Sequence, residues 1–210
     1  MLKPLQGVYA ITDQSLLQGD QLLLAAEEAL RAGLGLLQYR NKEDSWPARC
    51  TQARQLLMLC RKHNTPMLIN DDVDLCLEIG ANGVHLGQGD TKLSEARDRL
   101  GEDALIGITC HSDLTLALQA EHNGADYVAF GRFFASKTKP NAPPASLEIL
   151  RQARRELSVP IVAIGGINAE NGGALIAAGA NMLAVIHYLF ASPDIGSRVQ
   201  KLNSLFKPHD

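Results

Sequence analysis

Residues 66–90 read PMLINDDVDLCLEIGANGVHLGQGD, and their pattern decides the fold. Two apolar runs, Met67-Leu68-Ile69 and Val84-His85-Leu86, each stop at a polar cluster: Asn70-Asp71-Asp72 after the first, Gly87-Gln88-Gly89-Asp90 after the second. Val73 to Gly80 between them reads as a helix. A strand, a helix and a strand form a parallel unit, in which the carboxyl ends of both strands point the same way. Asn70, Asp71 and Asp90 are therefore expected on one rim. Two carboxylates and an amide there suit a hard cation, because magnesium prefers oxygen ligands and keeps waters and substrate phosphates as its other partners. The competing reading is structural: Asp71 or Asp72 caps the helix and Asp90 opens a loop.

The same pattern continues on both sides. Val8-Tyr9-Ala10-Ile11 reads as a first strand ending at Thr12-Asp13, followed by an amphipathic helix over Asp20–Ala32 with Gly33 at its stop. Leu34–Gln38 is a second strand ending at Tyr39-Arg40-Asn41-Lys42, and the next helix runs from Ser45 to Lys62 with Pro47 in its first turn. Downstream, strands are expected at Ala104–Gly107, Tyr127–Phe130, Pro160–Ile164 and Leu183–Ile186, with helices at Thr91–Leu100, Ser112–Asn123, Ser146–Leu157, up to Ala178 and over Pro193–Leu205. Gly-Ala pairs at 80–81, 124–125 and 179–180 each precede an apolar run, as a repeated helix-to-strand joint would. Eight strands alternating with eight helices predict an α/β fold, a (β/α)8 TIM barrel occupying residues 1–210 as one domain. An open flavodoxin-like sheet would use five strands and leave three unexplained.

Composition bounds the function. Of 210 residues, 46% are hydrophobic and 20% charged, enough to bury a substantial core. A net charge of -3 gives no field for attracting nucleic acid or an anionic membrane, so an anionic substrate must be held by local groups. Cys50, Cys60, Cys76 and Cys110 fall in different expected elements without a C-x-x-C pair, which argues against a zinc site or disulfide framework. The N-terminal MLKPLQGVYAITD lacks a signal's apolar core, and the apolar run at Met182–Ala191 falls short of the ~20 residues that span a bilayer. A soluble, cytoplasmic protein is expected.

In a barrel of this kind the site lies at the carboxyl ends of the strands. Arg40 and Lys42 beside the two carboxylates are the composition for a diphosphate bridged by magnesium. Gly165-Gly166, leading into a helix expected from Asn168, offers backbone N–H groups to a monophosphate, with a tight turn as the competing reading. Ser136-Lys137-Thr138-Lys139, within a long proline-containing loop over 131–145, alternates hydroxyls and ammonium groups and suits a lid over phosphate. His111 reads as a base or a structural residue, and His85, inside an apolar run, as core.

Several motifs together resemble the thiamine-phosphate synthase (thiamine-phosphate pyrophosphorylase) family: Y-A-I-T-D at 9–13, Q-Y-R-N-K at 38–42, I-N-D-D at 69–72, G-V-H-L-G-Q-G-D at 83–90, A-F-G-R-F-F-A-S-K-T-K-P at 129–140 and A-I-G-G-I at 163–167. The resemblance implies transfer of the pyrimidinylmethyl group of 4-amino-5-hydroxymethyl-2-methylpyrimidine diphosphate to a thiazole phosphate or its carboxylate, releasing pyrophosphate with the aid of Mg2+. By the same resemblance, Gln38, Arg40, Lys42 and Asn70 match the pyrimidine-diphosphate site, Asp71 and Asp90 the magnesium ligands, and Thr109 a position usually held by serine. Thr138 and Lys139 match phosphate-contacting loop positions, and Gly166 with Ile186 the thiazole-phosphate end. Ser136 stands where threonine is usual and His187 where many members have serine. Arg40, Lys42 and Lys139 are the expected catalytic cations. The expected partners are the two small-molecule substrates, with assembly into a homo-oligomer left open. A thiazole tautomerase on the same barrel, or a non-catalytic phosphate-binding barrel, are the alternatives; the former has no evident use for the set Arg40, Lys42, Asp71 and Asp90.

Overall fold

In a computed structural model that describes residues 5–135 and 144–207, eight parallel strands close into a barrel. They are β1 (Gly7–Ile11), β2 (Leu36–Tyr39), β3 (Met67–Asn70), β4 (Gly83–Leu86), β5 (Leu105–His111), β6 (Tyr127–Phe130), β7 (Ile161–Ile164) and β8 (Met182–Val185). β8 returns to β1, with Gly7 opposite Met182 and Ala10 opposite Val185, so no strand edge is exposed. The helices are α1 (Gln21–Arg31), α2 (Trp46–Lys62), α3 (Val73–Ile79), α4 (Leu93–Leu100), α5 (Leu114–His122), α6 (Leu147–Glu156), α7 (Gly172–Ala178), α8 (His187–Phe190) and α9 (Ile195–Ser204). α8 is a single turn directly after β8, too short for hydrophobic periodicity to reveal. None of the helices among the described residues is long and apolar enough to cross a membrane.

Strand alternation divides the interior into two cores. Tyr9, Leu36, Leu68, Tyr127, Val162 and Met182 point into the barrel and pack together there. Their chain neighbours Val8, Leu37, Ile69, Val128, Ala163 and Leu183 point outward and join the helices in a larger layer. α1 contributes Leu22, Ala26 and Leu30 to that layer, and α2 contributes Ala53, Leu56 and Cys60, in both cases at helical spacing. Polar strand ends are left at the mouth.

The repeated Gly-Ala pairs acquire a reason here. The residue after each pair, Asn82, Asp126 or Asn181, makes a two-way bond with a residue at the start of the preceding strand, the first in β3 and β7 and the second in β5. Asn82 N–H donates to the Met67 carbonyl at 3.0 Å while its Oδ1 accepts from Met67 N–H at 2.9 Å. Asp126 does the same with Ile106, both at 2.8 Å, and Asn181 with Ile161, both at 2.8 Å. The side-chain oxygen satisfies a backbone donor that lies beyond the reach of the strand ladder. Arg97 braces the β5–β6 joint by donating to Asp126 at 2.7 Å and to the Ala104 and Gly124 carbonyls.

Candidate active site

The strand ends open into one cavity of about 700 Å3. Gln38, Arg40 and Lys42 at the end of β2, Asn70 and Asp71 after β3, and Asp90 after β4 line it. Thr109 on β5, Gly166 after β7, and Ile186 and His187 after β8 complete the opposite wall. Every expected site residue among the described ones thus faces the same space. Ser136, Thr138 and Lys139 lie outside the described residues.

On the β2–β4 side the charges are interlocked. Asp71 sits in the left-handed region, φ 62°, with its N–H donating to the His85 carbonyl at 2.9 Å. That backbone turn, which Asp tolerates better than most residues, aims its carboxylate at Lys42, whose Nζ lies 2.7 Å from Oδ2. Asp90 is held by the Gly87 N–H at 2.7 Å, and its carboxyl neighbours that of Asp71. Burial opposes ionisation of Asp71, but hydrogen bonds from Lys42, Asp90 and Asn70 and the Lys42 charge hold its carboxyl below the usual carboxylate range. Asp90 is pushed up by desolvation and by the adjacent Asp71, with the Gly87 N–H opposing. Two neighbouring carboxylates that perturb each other's ionisation form a natural seat for a cation. Asp72 turns away from this pair: it caps α3 by accepting from Leu75 N–H at 2.9 Å and pairs with Arg49 at 2.9 Å. Arg40 lies 3.7 Å from Asp13, a loose pairing on the cavity wall.

The donor set can be tested against magnesium. Among the described residues no group of three or more His, Cys, Asp and Glu side chains is placed to hold a metal ion. Asp71 and Asp90 therefore offer part of a coordination sphere, which matches Mg2+ binding through one or two carboxylates plus waters and substrate phosphates. The residues fit the ion.

On the β7–β8 side, Gly165 and Gly166 have φ of 107° and 63°. A Cβ at Gly165 would come within 2.4 Å of the Arg132 Cβ, and one at Gly166 within 2.4 Å of the Ala135 carbonyl. The glycines are thus required by the segment after β6, whose Phe133 and Phe134 N–H groups donate to the Ile164 and Gly165 carbonyls at 3.1 and 3.0 Å. The helix expected from Asn168 begins only at Gly172. Asn168 and Asn171 explain the delay: Asn168 Oδ1 accepts from the Glu170 and Asn171 N–H groups, and Asn171 Nδ2 donates to the Gly166 carbonyl. Such local side-chain bonds compete with helix formation. His187 is instead the first residue of α8. Arg198, from α9, also lines the cavity, with its guanidinium over the Tyr188 ring at 4.7 Å and donating to the Tyr188 carbonyl.

The expectation that His85 is a core residue is corrected. It points into the barrel, lines the cavity, and bonds at both ring nitrogens: Nδ1 to Tyr127 Oη and Nε2 to Thr109 Oγ1, both at 2.8 Å. Its ring stacks on Tyr127 with centroids 5.6 Å apart. Tyr127 Oη is 3.0 Å from Tyr9 Oη, which accepts from Gln38 Nε2. Desolvation raises the pKa of both tyrosines, keeping them neutral. Parity along β4 would have found His85, since Gly83 and His85 alternate with the outward Val84 and Leu86. The tyrosines needed knowledge of Gly107, where a Cβ would stand 1.9 Å from the Tyr127 ring. Glycine there lets the ring cross the barrel.

Comparison with known proteins agrees with this arrangement. The family profile described as thiamine monophosphate synthase matches residues 8–189. Thiamine-phosphate synthase of Alcanivorax borkumensis is 50% identical over 209 residues, covering 98% of this chain and 96% of that one. The thiamine-phosphate synthase of Thioalkalivibrio sulfidiphilus is 49% identical over 203 residues, covering 97% and 96%. The solved thiamine phosphate pyrophosphorylase of Pyrococcus furiosus superposes with a TM-score of 0.86 at 30% identity, covering 95% of each chain. The chain belongs to the thiamine monophosphate synthase family.

Proposed function

We propose that this protein is a thiamine-phosphate synthase that joins 4-amino-5-hydroxymethyl-2-methylpyrimidine diphosphate to 4-methyl-5-(2-phosphooxyethyl)thiazole, or to its carboxylate, giving thiamine monophosphate and pyrophosphate, with CO2 released as well from the carboxylate. The observation that carries the reading is the cluster Asp71–Asp90–Lys42 on one wall of the cavity, with Arg40 beside it. Such a cluster serves a diphosphate, not a monophosphate alone. Asp71 and Asp90 would hold Mg2+, which when bound neutralises charge on the diphosphate.

In the proposed reaction the bond between the pyrimidine methylene carbon and the diphosphate oxygen breaks, and the oxygen keeps the electron pair. The thiazole nitrogen lone pair forms the new carbon–nitrogen bond. No proton transfer is needed. Lys42 and Arg40 stabilise the departing negative charge, the largest electrostatic demand of the step. Gln38, Asn70 and Thr109 position the pyrimidine, and Gly166, Ile186 and His187 hold the thiazole phosphate across the cavity. Ser136, Thr138 and Lys139 act on phosphate oxygens from the 131–145 segment.

Pyrophosphate release in the presence of both substrates and Mg2+ tests this. Release that needs the thiazole phosphate is expected; no release, or release indifferent to the thiazole, rejects the synthase reading.

A further inference from the structure

Five side chains at the cavity floor form one line of hydrogen bonds: Gln38 Nε2 to Tyr9 Oη, Tyr9 Oη to Tyr127 Oη, Tyr127 Oη to His85 Nδ1, and His85 Nε2 to Thr109 Oγ1. An amide nitrogen only donates, so Gln38 sets the direction at one end. Tyr9 accepts from it and donates onward to Tyr127, and Tyr127 in turn donates to His85 Nδ1. An imidazole that accepts at Nδ1 carries its proton at Nε2. That Nε2–H donates to Thr109 Oγ1, and the Thr109 hydroxyl proton is left for the cavity that Thr109 lines. With His85 protonated at Nδ1, one tyrosine oxygen would have to accept from both its neighbours in the line, leaving its own proton without a partner there. Tyr9 is 1% and Tyr127 0% exposed, so water cannot pair that proton.

We propose that this line is a proton-orienting relay: Gln38, acting through Tyr9 and Tyr127, holds His85 as the neutral Nε2–H tautomer and thereby presents the Thr109 hydroxyl as a hydrogen-bond donor to the substrate. Tyr9 and Tyr127 are positioning residues, and no proton is transferred along the line. The relay rests on the synthase reading only for what Thr109 meets, a lone-pair acceptor on the pyrimidine diphosphate. The tautomer itself is a property of the free protein.

Long-range 15N–1H NMR of the imidazole nitrogens reads that tautomer directly, with His85 identified by the signals that vanish in His85→Gln. The expected result in the substrate-free wild type is a protonated Nε2 and a bare Nδ1. Gln38→Glu replaces the terminal donor by an acceptor and should invert the line, moving the His85 proton to Nδ1. Tyr127→Phe removes only a hydroxyl and should mix the tautomers, lowering kcat/KM for the pyrimidine diphosphate about tenfold, the scale of one buried hydrogen bond. KM for the thiazole phosphate should change less than about twofold, since Thr109 meets the other substrate. Should Tyr127→Phe fail to fold, the wild-type and Gln38→Glu spectra decide alone. A wild-type His85 protonated at Nδ1, or a tautomer unchanged in Gln38→Glu, overturns the relay. Absence of synthase turnover in the wild type counts against the proposed function, and the spectra still decide the relay.

Discussion

Asp71 occupies a left-handed backbone position, uncommon for a non-glycine residue though more accessible to Asp than to most. Its N–H is tied to the His85 carbonyl and its carboxylate to Lys42, so this turn places charge on the cavity wall. Asp71→Ala should lower magnesium-dependent activity by at least about a hundredfold if an essential metal contact is lost. Its thermal transition should stay close to wild type; a fully active variant would contradict the metal assignment. The buried tyrosines and thiols make a second prediction. Desolvation raises Tyr9 and Tyr127, lifts Tyr39 to about 12, and lifts Cys60, Cys76 and Cys110 to about 12. In the unfolded chain these groups ionise near their ordinary values, roughly 8.5 for Cys and 10 for Tyr. Their folded values being raised, the stability they contribute is full below the ordinary values and is lost as pH rises through the folded ones. Denaturant unfolding followed at increasing pH should show stability falling above the ordinary thiol range. A flat alkaline limb would contradict the burial argument.

At the scale of elements, the strand–helix alternation was legible because each strand ends at a polar cluster and each helix carries an apolar stripe. The details that escaped have local causes. β5 runs to His111, past the expected end at Gly107, because glycine there admits the Tyr127 ring and a register shift between Thr109 and His111 carries the strand on. α7 starts late because Asn168 and Asn171 bond their own turn. Gly107→Ala should therefore destabilise the fold by about 1–3 kcal/mol or more, the cost of overpacking a filled interior. It should also displace Tyr127, visible as altered tyrosine absorbance. The Gly-Ala-Asn/Asp joints predict a contrast: Asn181→Ala strands the Ile161 N–H at a cost of about 1–3 kcal/mol, whereas Asn181→Asp, repeating the Asp126 joint, should cost under about 1 kcal/mol. Equal losses in denaturant midpoints would show that the side-chain oxygen is not the stabilising group.

For the whole molecule, closure of β8 onto β1 is what brings the Asp71–Asp90 wall and the Gly166–His187 wall to opposite sides of one cavity. The sequence reading located both walls, since rim residues follow the strands they terminate. It could not locate the floor, because Tyr9, Gln38, Tyr127, His85 and Thr109 come from five strands and meet only through the barrel's closure. The central claim is that the two walls hold two different phosphorylated substrates for joining. Mass spectrometry of the products formed from both substrates with Mg2+ tests it most directly. With the uncarboxylated thiazole phosphate, a product whose mass equals the two substrates less pyrophosphate is the predicted result. An isomerised but unjoined thiazole phosphate, or hydrolysed pyrimidine diphosphate with the thiazole untouched, would contradict it.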